Sequence, residues 1–198
     1  MKTAVSYAQR DLATIDRALP LVKGRRAALQ AGACLGIFPL HLAKMFEAVY
    51  AFEPDPKLFR KSVMLGNVAN IVWFNAALGY ERRLVHTECR RRDGSSRPAH
   101  EGLTFTIAGG IIPTMRVDDL ALSALDLLCL DVEGAEFEAL KGAKETIDRC
   151  RPVLIVEINK QLQHSGITED DLRTCLRVWG YEWQFKNYSD EVFVPWQK

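Results

Sequence analysis

The stretch LDLLCLDVEGAEFEALKGAKETIDRCRPVLIVEI, residues 125–158, decides the fold. It opens on an apolar run, Leu125 to Leu130, and crosses a turn of small and acidic residues, Asp131 to Ala135. A helical pattern follows from Glu136 to Arg149, with Phe137, Leu140 and Ile147 on one face, and a second apolar run closes it, Val153 to Ile158. Short apolar runs without polar alternation suit strands covered on both faces, and such strands pair in parallel through helical crossovers. The same grammar extends upstream. Ala27 to Ala31, Ala48 to Phe52 and Ile71 to Asn75 read as three more buried strands, with helices over Pro39 to Phe46 and Pro56 to Asn67. Downstream, Thr168 caps a helix whose Leu172, Cys175, Leu176 and Trp179 fall at i, i+3, i+4 and i+7, and Gly180 stops it. Tyr181 to Phe185 and Glu191 to Pro195 then suit an antiparallel hairpin. The segment Arg82 to Val117 breaks the alternation and is expected to form an inserted hairpin-like excursion. The class is α/β, one domain over residues 1–198, with a mostly parallel sheet.

Composition sets the outer limits. Of 198 residues, 48% are apolar and 26% charged, an ordinary soluble balance that excludes a collagenous, disordered or disulfide-scaffold chain. The net charge of +1 supplies no global field toward nucleic acid or an anionic membrane, so neither is expected as a partner. The five cysteines, Cys34, Cys89, Cys129, Cys150 and Cys175, are scattered, without a C-x-x-C pair or a nearby histidine. They read as reduced thiols of a cytoplasmic protein, and no metal site is expected. No run approaches the ~18 apolar residues that span a bilayer.

The first strand runs into Gln30-Ala31-Gly32-Ala33-Cys34-Leu35-Gly36, a strand-to-helix turn in which glycines admit close backbone approach to a ligand. A plain tight turn explains the glycines alone equally well. Glu53, at the end of the second strand, tips the balance, because a carboxylate at that edge is where a ribose diol is held. Neither glycine register supplies the G-x-G-x-x-G of a dinucleotide site, and no phosphate-binding G-x-x-x-x-G-K-[ST] occurs. A small-residue turn without phosphate machinery fits S-adenosylmethionine.

The run Leu130-Asp131-Val132-Glu133-Gly134-Ala135-Glu136, then Leu140 with Gly142-Ala143, then Pro152 to Glu157, resembles the FkbM-type family of S-adenosylmethionine-dependent methyltransferases. Ala51-Phe52-Glu53-Pro54, Asn75-Ala76-Ala77 and Val117-Asp118-Asp119-Leu120 resemble further motifs of that family, over roughly Leu29 to Asn159. The resemblance implies a Rossmann-like, seven-stranded class I methyltransferase sheet, parallel except for one strand. It implies that S-adenosylmethionine, leaving as S-adenosylhomocysteine, is bound by Gly32, Ala33 and Gly36 at its methionine end. Glu53, followed by Pro54, would hold the ribose, Asn75 and Ala76 would flank the adenine, and Asp131 would close the pocket. The acceptor it implies is a hydroxyl of a small molecule or glycan. Two positions depart from the family pattern: Gln30 stands where an aspartate is usual and Cys34 where an asparagine is typical.

Three carboxylates crowd the acceptor side. Asp131 and Glu133 leave the fourth main strand and Glu157 leaves the fifth, all at the carboxyl edge where open α/β sheets bind ligands. Glu157 is the candidate base, Asp131 a positioning group, and Glu133 either a third catalytic acid or the start of the next helix. Two rival readings stay open: a methyltransferase-like binding or scaffold module without turnover, motivated by Gln30, and a nicotinamide-dependent oxidoreductase, disfavoured by the glycine register. The sequence leaves a homo-oligomer open. The arginines Arg82, Arg83, Arg90, Arg91, Arg92 and Arg97 read as a solvated face, and His164 as a candidate facing the acceptor.

Overall fold

Alternating apolar runs and amphipathic helices force a layered solution, because each strand must be covered on both sides. The computed structural model describes residues 12–65, 68–90 and 103–196. Its main sheet contains β1 (Ala27–Ala31), β2 (Ala48–Phe52), β3 (Ile71–Phe74), β8 (Leu127–Leu130), β9 (Val153–Glu157), β10 (Tyr181–Asn187) and β11 (Asp190–Pro195). The spatial order is β10-β11-β9-β8-β1-β2-β3. β1, β2, β3, β8 and β9 pair in parallel, while β11 runs antiparallel to both β9 and β10. The seven strands with one reversed therefore match the expectation from the sequence.

All five residues of β1 and all four of β8 are buried, as strands at the centre of a two-faced sheet must be. One face packs Leu29, Leu128 and Leu154 against α4 (Glu136–Lys141), α5 (Lys144–Cys150) and α6 (Glu169–Val178) through Leu140, Ile147, Leu172 and Leu176. The other packs Ala28, Leu127 and Ile155 against a helix over 12–18, α1, and α2 (Ile37–Leu42), through Ile15, Ala18 and Leu42. The remaining helix, α3 (Pro56–Leu65), connects β2 to β3. At the amino end of the sheet, Asp126 accepts from the Arg26 N–H and guanidinium, both at 2.8 Å, and fixes the start of β1 beside β8.

Two expectations need correction. The helical pattern Glu136 to Arg149 is two helices that meet at Gly142–Ala143, and the backbone of Gly79 passes so close to Gly142 that a Cβ there would lie 2.1 Å from its carbonyl oxygen. Asp118 then caps the new helix start from outside, accepting from Thr146 N–H at 2.8 Å. The excursion expected as a hairpin does contain one, β5 (Leu84–Arg90) with β6 (Leu103–Ala108). It is enlarged by β7 (Ile112–Met115) and β4 (Ala77–Leu78) into a four-stranded sheet of order β4-β7-β5-β6. Ala77, Val85 and Ile112 give that sheet its own small apolar core. Arg91, Arg92 and Arg97 lie outside the described residues, while Arg82 pairs with Asp119 through two hydrogen bonds of 2.9 and 2.6 Å.

The α6 helix follows its sequence signals: Thr168 accepts from Asp171 N–H, and Asp171 accepts in return from Thr168 N–H. The hairpin after it is longer than expected. Its strands continue until Asn187 faces Asp190, so the connection shrinks to Tyr188 and Ser189.

Candidate active site

The chain leaves β1 toward β2 and β3 on one side and returns through β8 and β9 on the other. A crevice therefore opens at the carboxyl ends of β1 and β8, the position at which open α/β sheets hold ligands. On its β2 side, Gly32 and Ala33 both donate to the Phe52 carbonyl at 3.0 Å, which draws the glycine turn across the end of β2. Glu53 comes next in the chain and is 3% exposed. Its Oε2 accepts from Cys34 N–H at 2.7 Å and its Oε1 from Asp55 N–H at 2.8 Å, so the carboxylate binds the two loops together.

Burial pushes the Glu53 carboxyl up to about 7, even though those two N–H groups favour its charged form. A carboxylate has roughly four lone-pair positions, and the backbone takes one on each oxygen. Asn75 donates to the carbonyls of Glu53 and Pro54 at 2.9 and 3.0 Å, which ties the end of β3 to the same loop, and Ala76 beside it is buried. Thr87 of β5 reaches Asp55 at 3.4 Å, so the small sheet also touches this loop. No local pattern announces that contact, because it joins residues 32 apart across two sheets. Gln30 is 3% exposed; its Nε2 donates to the Ala31 carbonyl at 3.0 Å, and its Oε1 is buried without a hydrogen-bond partner among the described residues.

The acceptor side collects the three carboxylates singled out in the sequence. Asp131, Glu133 and Glu157 each place an oxygen within 4.8 Å of the others, close enough to surround one divalent cation. Burial, reinforced by the charges of Glu157, Glu133 and Asp190, raises the Asp131 carboxyl well above the ordinary carboxylate range. Glu133 sits in the turn before α4 at φ +56°, outside the helix that could have claimed it. Asp190 enters the cluster because β11 pairs with β9 and sets it opposite Glu157. Sequence reading missed it, since Asp190 is 33 positions from Glu157 and only strand pairing makes them neighbours.

Glu136 has a different task. It is 1% exposed and accepts from Val132 and Gly134 N–H at 2.9 and 3.2 Å, locking the turn that delivers Asp131 and Glu133. Burial pushes its carboxyl up to about 7. His41 bridges to Asp16 at 2.6 Å, joining α2 to α1, and the side chain of His164 lies outside the described residues.

The two carboxyls raised to about 7 have a consequence for stability. Folded Glu53 and Glu136 hold protons that the unfolded chain releases near 4.5, so their contribution is fully present below pH 4.5 and is lost as pH rises to 7. We expect the ligand-free protein to melt at a higher temperature at pH 5.5 than at pH 7.5, by on the order of 5 °C. Calorimetric scans across that range check this, and a melting temperature that climbs with pH would contradict it.

Several solved structures share the fold. An FkbM methyltransferase from Methylobacillus flagellatus KT superposes with a TM-score of 0.56 at 17% identity, over 86% of this chain and 43% of that one. This chain therefore spans less than half the length of that relative. An rRNA methylase from Streptococcus thermophilus gives 0.54 at 11% identity, over 93% and 95% of the two chains. The magnesium protoporphyrin IX methyltransferase from Synechocystis PCC 6803, solved with SAM bound, gives 0.51 at 13% identity, over 97% and 81%. No curated protein matches the chain in sequence. Among the described residues no helix is long and apolar enough to cross a membrane. The model of the methyltransferase FkbM domain matches residues 30–183, most of the chain, and with the glycine turn, Glu53 and the carboxylate cluster arranged as above, this protein belongs to the FkbM methyltransferase family.

Proposed function

We propose that the protein transfers a methyl group from S-adenosylmethionine to a hydroxyl oxygen of a small molecule or glycan. The observation that carries the cofactor half is Glu53, a buried carboxylate with one backbone N–H on each oxygen. The remaining lone pair on each oxygen suits the two adjacent hydroxyls of a ribose. Gln30 fits the other end of the cofactor, since its buried, partnerless Oε1 is an acceptor for an ammonium group. It is a neutral one, and a neutral acceptor in place of a carboxylate forgoes on the order of 1 kcal/mol. The cofactor, when bound, supplies an electrophilic methyl on its sulfonium sulfur.

The chain's own residues then position and deprotonate. In-line alignment of the acceptor oxygen accounts for most of the acceleration, because this displacement needs no covalent help from the protein. As the bond from oxygen to the methyl carbon forms, the acceptor proton must leave, and Glu157 is the group to take it. Asp131, whose carboxyl burial and neighbouring charge raise well above the ordinary range, serves instead to orient Glu157 or the acceptor. Glu133 completes the acidic wall.

Calorimetry with S-adenosylhomocysteine tests the cofactor half. Bound ribose hydroxyls donate to ionised Glu53, which in the free protein protonates near 7. Affinity should therefore fall about tenfold for each pH unit below 7 and level off above it. Binding of NAD in place of S-adenosylhomocysteine, or an affinity indifferent to pH between 5.5 and 7.5, would remove this reading.

A further inference from the structure

The outer side of α3 changes character along its length. Residues 57, 60, 61, 64 and 65 recur at i, i+3, i+4, i+7 and i+8, so they form one stripe of the helix. All five are exposed, while Leu58 and Ser62 are buried on another face. The stripe reads Lys57, Arg60 and Lys61 over the first two turns and Met64 and Leu65 at the end. Met64 is 83% and Leu65 67% exposed. Single apolar side chains in water are ordinary, but two adjoining ones that continue a row of cations have no role in holding this fold together.

The cations of the stripe are not neutralised. Arg26, Arg82, Lys144, Arg173 and Lys186 each lie at ion-pair distance from a carboxylate, and among the described residues Lys57, Arg60 and Lys61 do not. Arg60 spends only its Nε, on the Pro56 carbonyl at 3.0 Å. No Asp or Glu occurs from Pro56 through Tyr80. Asp55, just before, is 8% exposed, and its Oδ1 accepts from Lys57 and Leu58 N–H at 2.8 and 2.9 Å. A chain of net charge +1 therefore concentrates three positive charges on one helix, directly beside exposed apolar groups.

We propose that the outer stripe of α3 seats the protein on the surface of an anionic bilayer, with Lys57, Arg60 and Lys61 at the lipid phosphates and Met64 and Leu65 among the first acyl carbons. Lys57 and Leu65 are about 12 Å apart along the helix axis. A tilted helix thus sinks its apolar end to the roughly 5–10 Å depth of interfacial helices while its cations stay at headgroup level. A protein partner would need a pocket shaped for Met64 and Leu65 and carboxylates in register with the cations. A lipid surface needs neither, and it suits side chains that stand out from a convex helix. The contact lies on the bilayer and requires no spanning helix. It departs from the expectation drawn from net charge because placement, and not the total, sets the local field.

Flotation of the full chain with vesicles is the test, and it needs no reaction. The protein should rise with vesicles of phosphatidylcholine and phosphatidylglycerol, stay behind with phosphatidylcholine alone, and be released by added salt. Each cation replaced should weaken binding about fivefold, so Lys57→Gln, Arg60→Gln and Lys61→Gln together should weaken it about 100-fold. Met64→Ser with Leu65→Ser should weaken it about tenfold or more by removing the inserted apolar groups. These side chains are exposed and outside the cofactor loop, so melting temperature and S-adenosylhomocysteine affinity without vesicles should match wild type and separate lost contact from lost fold. No association with the phosphatidylglycerol vesicles, or association that survives both sets of substitutions, overturns the proposal. So does self-association of the chain that Met64→Ser and Leu65→Ser abolish while vesicles are ignored, since the stripe would then be a contact between copies.

Discussion

Glu157→Gln is expected to cut turnover about 100-fold or more while leaving the affinity for S-adenosylhomocysteine nearly unchanged. The substitution preserves shape, and the new amide oxygen still accepts from Ser189, so the hairpin tip keeps its anchor. What disappears is the group able to take the acceptor proton. Initial rates, with calorimetric S-adenosylhomocysteine affinities alongside, measure both halves of the expectation. Turnover within a few-fold of wild type would leave positioning as the whole mechanism.

Gly32→Ala should be the most damaging single change at the site. Gly32 has φ +84°, and a Cβ there would sit 1.8 Å from the Asp131 carbonyl oxygen. The molecule carries its own control, because Gly109 has the same φ of +84° with no described residue within 4 Å of its would-be Cβ. Gly109→Ala should cost only the left-handed backbone term, about 1 kcal/mol. Gly32→Ala adds a backbone collision between the ends of β1 and β8, and should cost about 3 kcal/mol or more. Denaturant melts of the two variants give the comparison directly. Equal costs would mean that the turn relaxes away from Asp131.

That contrast also corrects how the turn is understood. The glycine at position 32 suggests backbone approaching a ligand, and the structure gives it a prior reason: the end of β8 already fills the space where a side chain would go. Gly36, by comparison, would bring its Cβ to 3.1 Å from Trp73 and 3.2 Å from Ser62. The glycines are therefore conditions for closing β1 against β8 and packing α3 under the turn, before any ligand arrives.

The sequence by itself determined the strands Ala27–Ala31 and Ala48–Phe52 to the residue, the Thr168 cap and the antiparallel ending. It also placed Glu53 at the end of β2 and Asp131 and Glu157 at the ends of β8 and β9. These are local features: continuous apolar runs, a cap spacing, and an acid directly after a strand, each set by interactions within a few residues. Tertiary structure decided what depends on distant backbones meeting. Position 142 must be glycine because the Gly79 backbone passes beside it, and the inserted hairpin gains β4 and β7 because Ala77 and Ile112 share a core with Val85. The division of labour among the acids is of the same kind. Glu136 and Asp131 are five residues apart with similar sequence surroundings, yet one is consumed by its own turn and the other is raised by burial and by the charge of a residue 26 positions away. Burial and neighbouring charge set those roles, and both are properties of the folded edge, where β11 sets Asp190 and Ser189 beside Glu157.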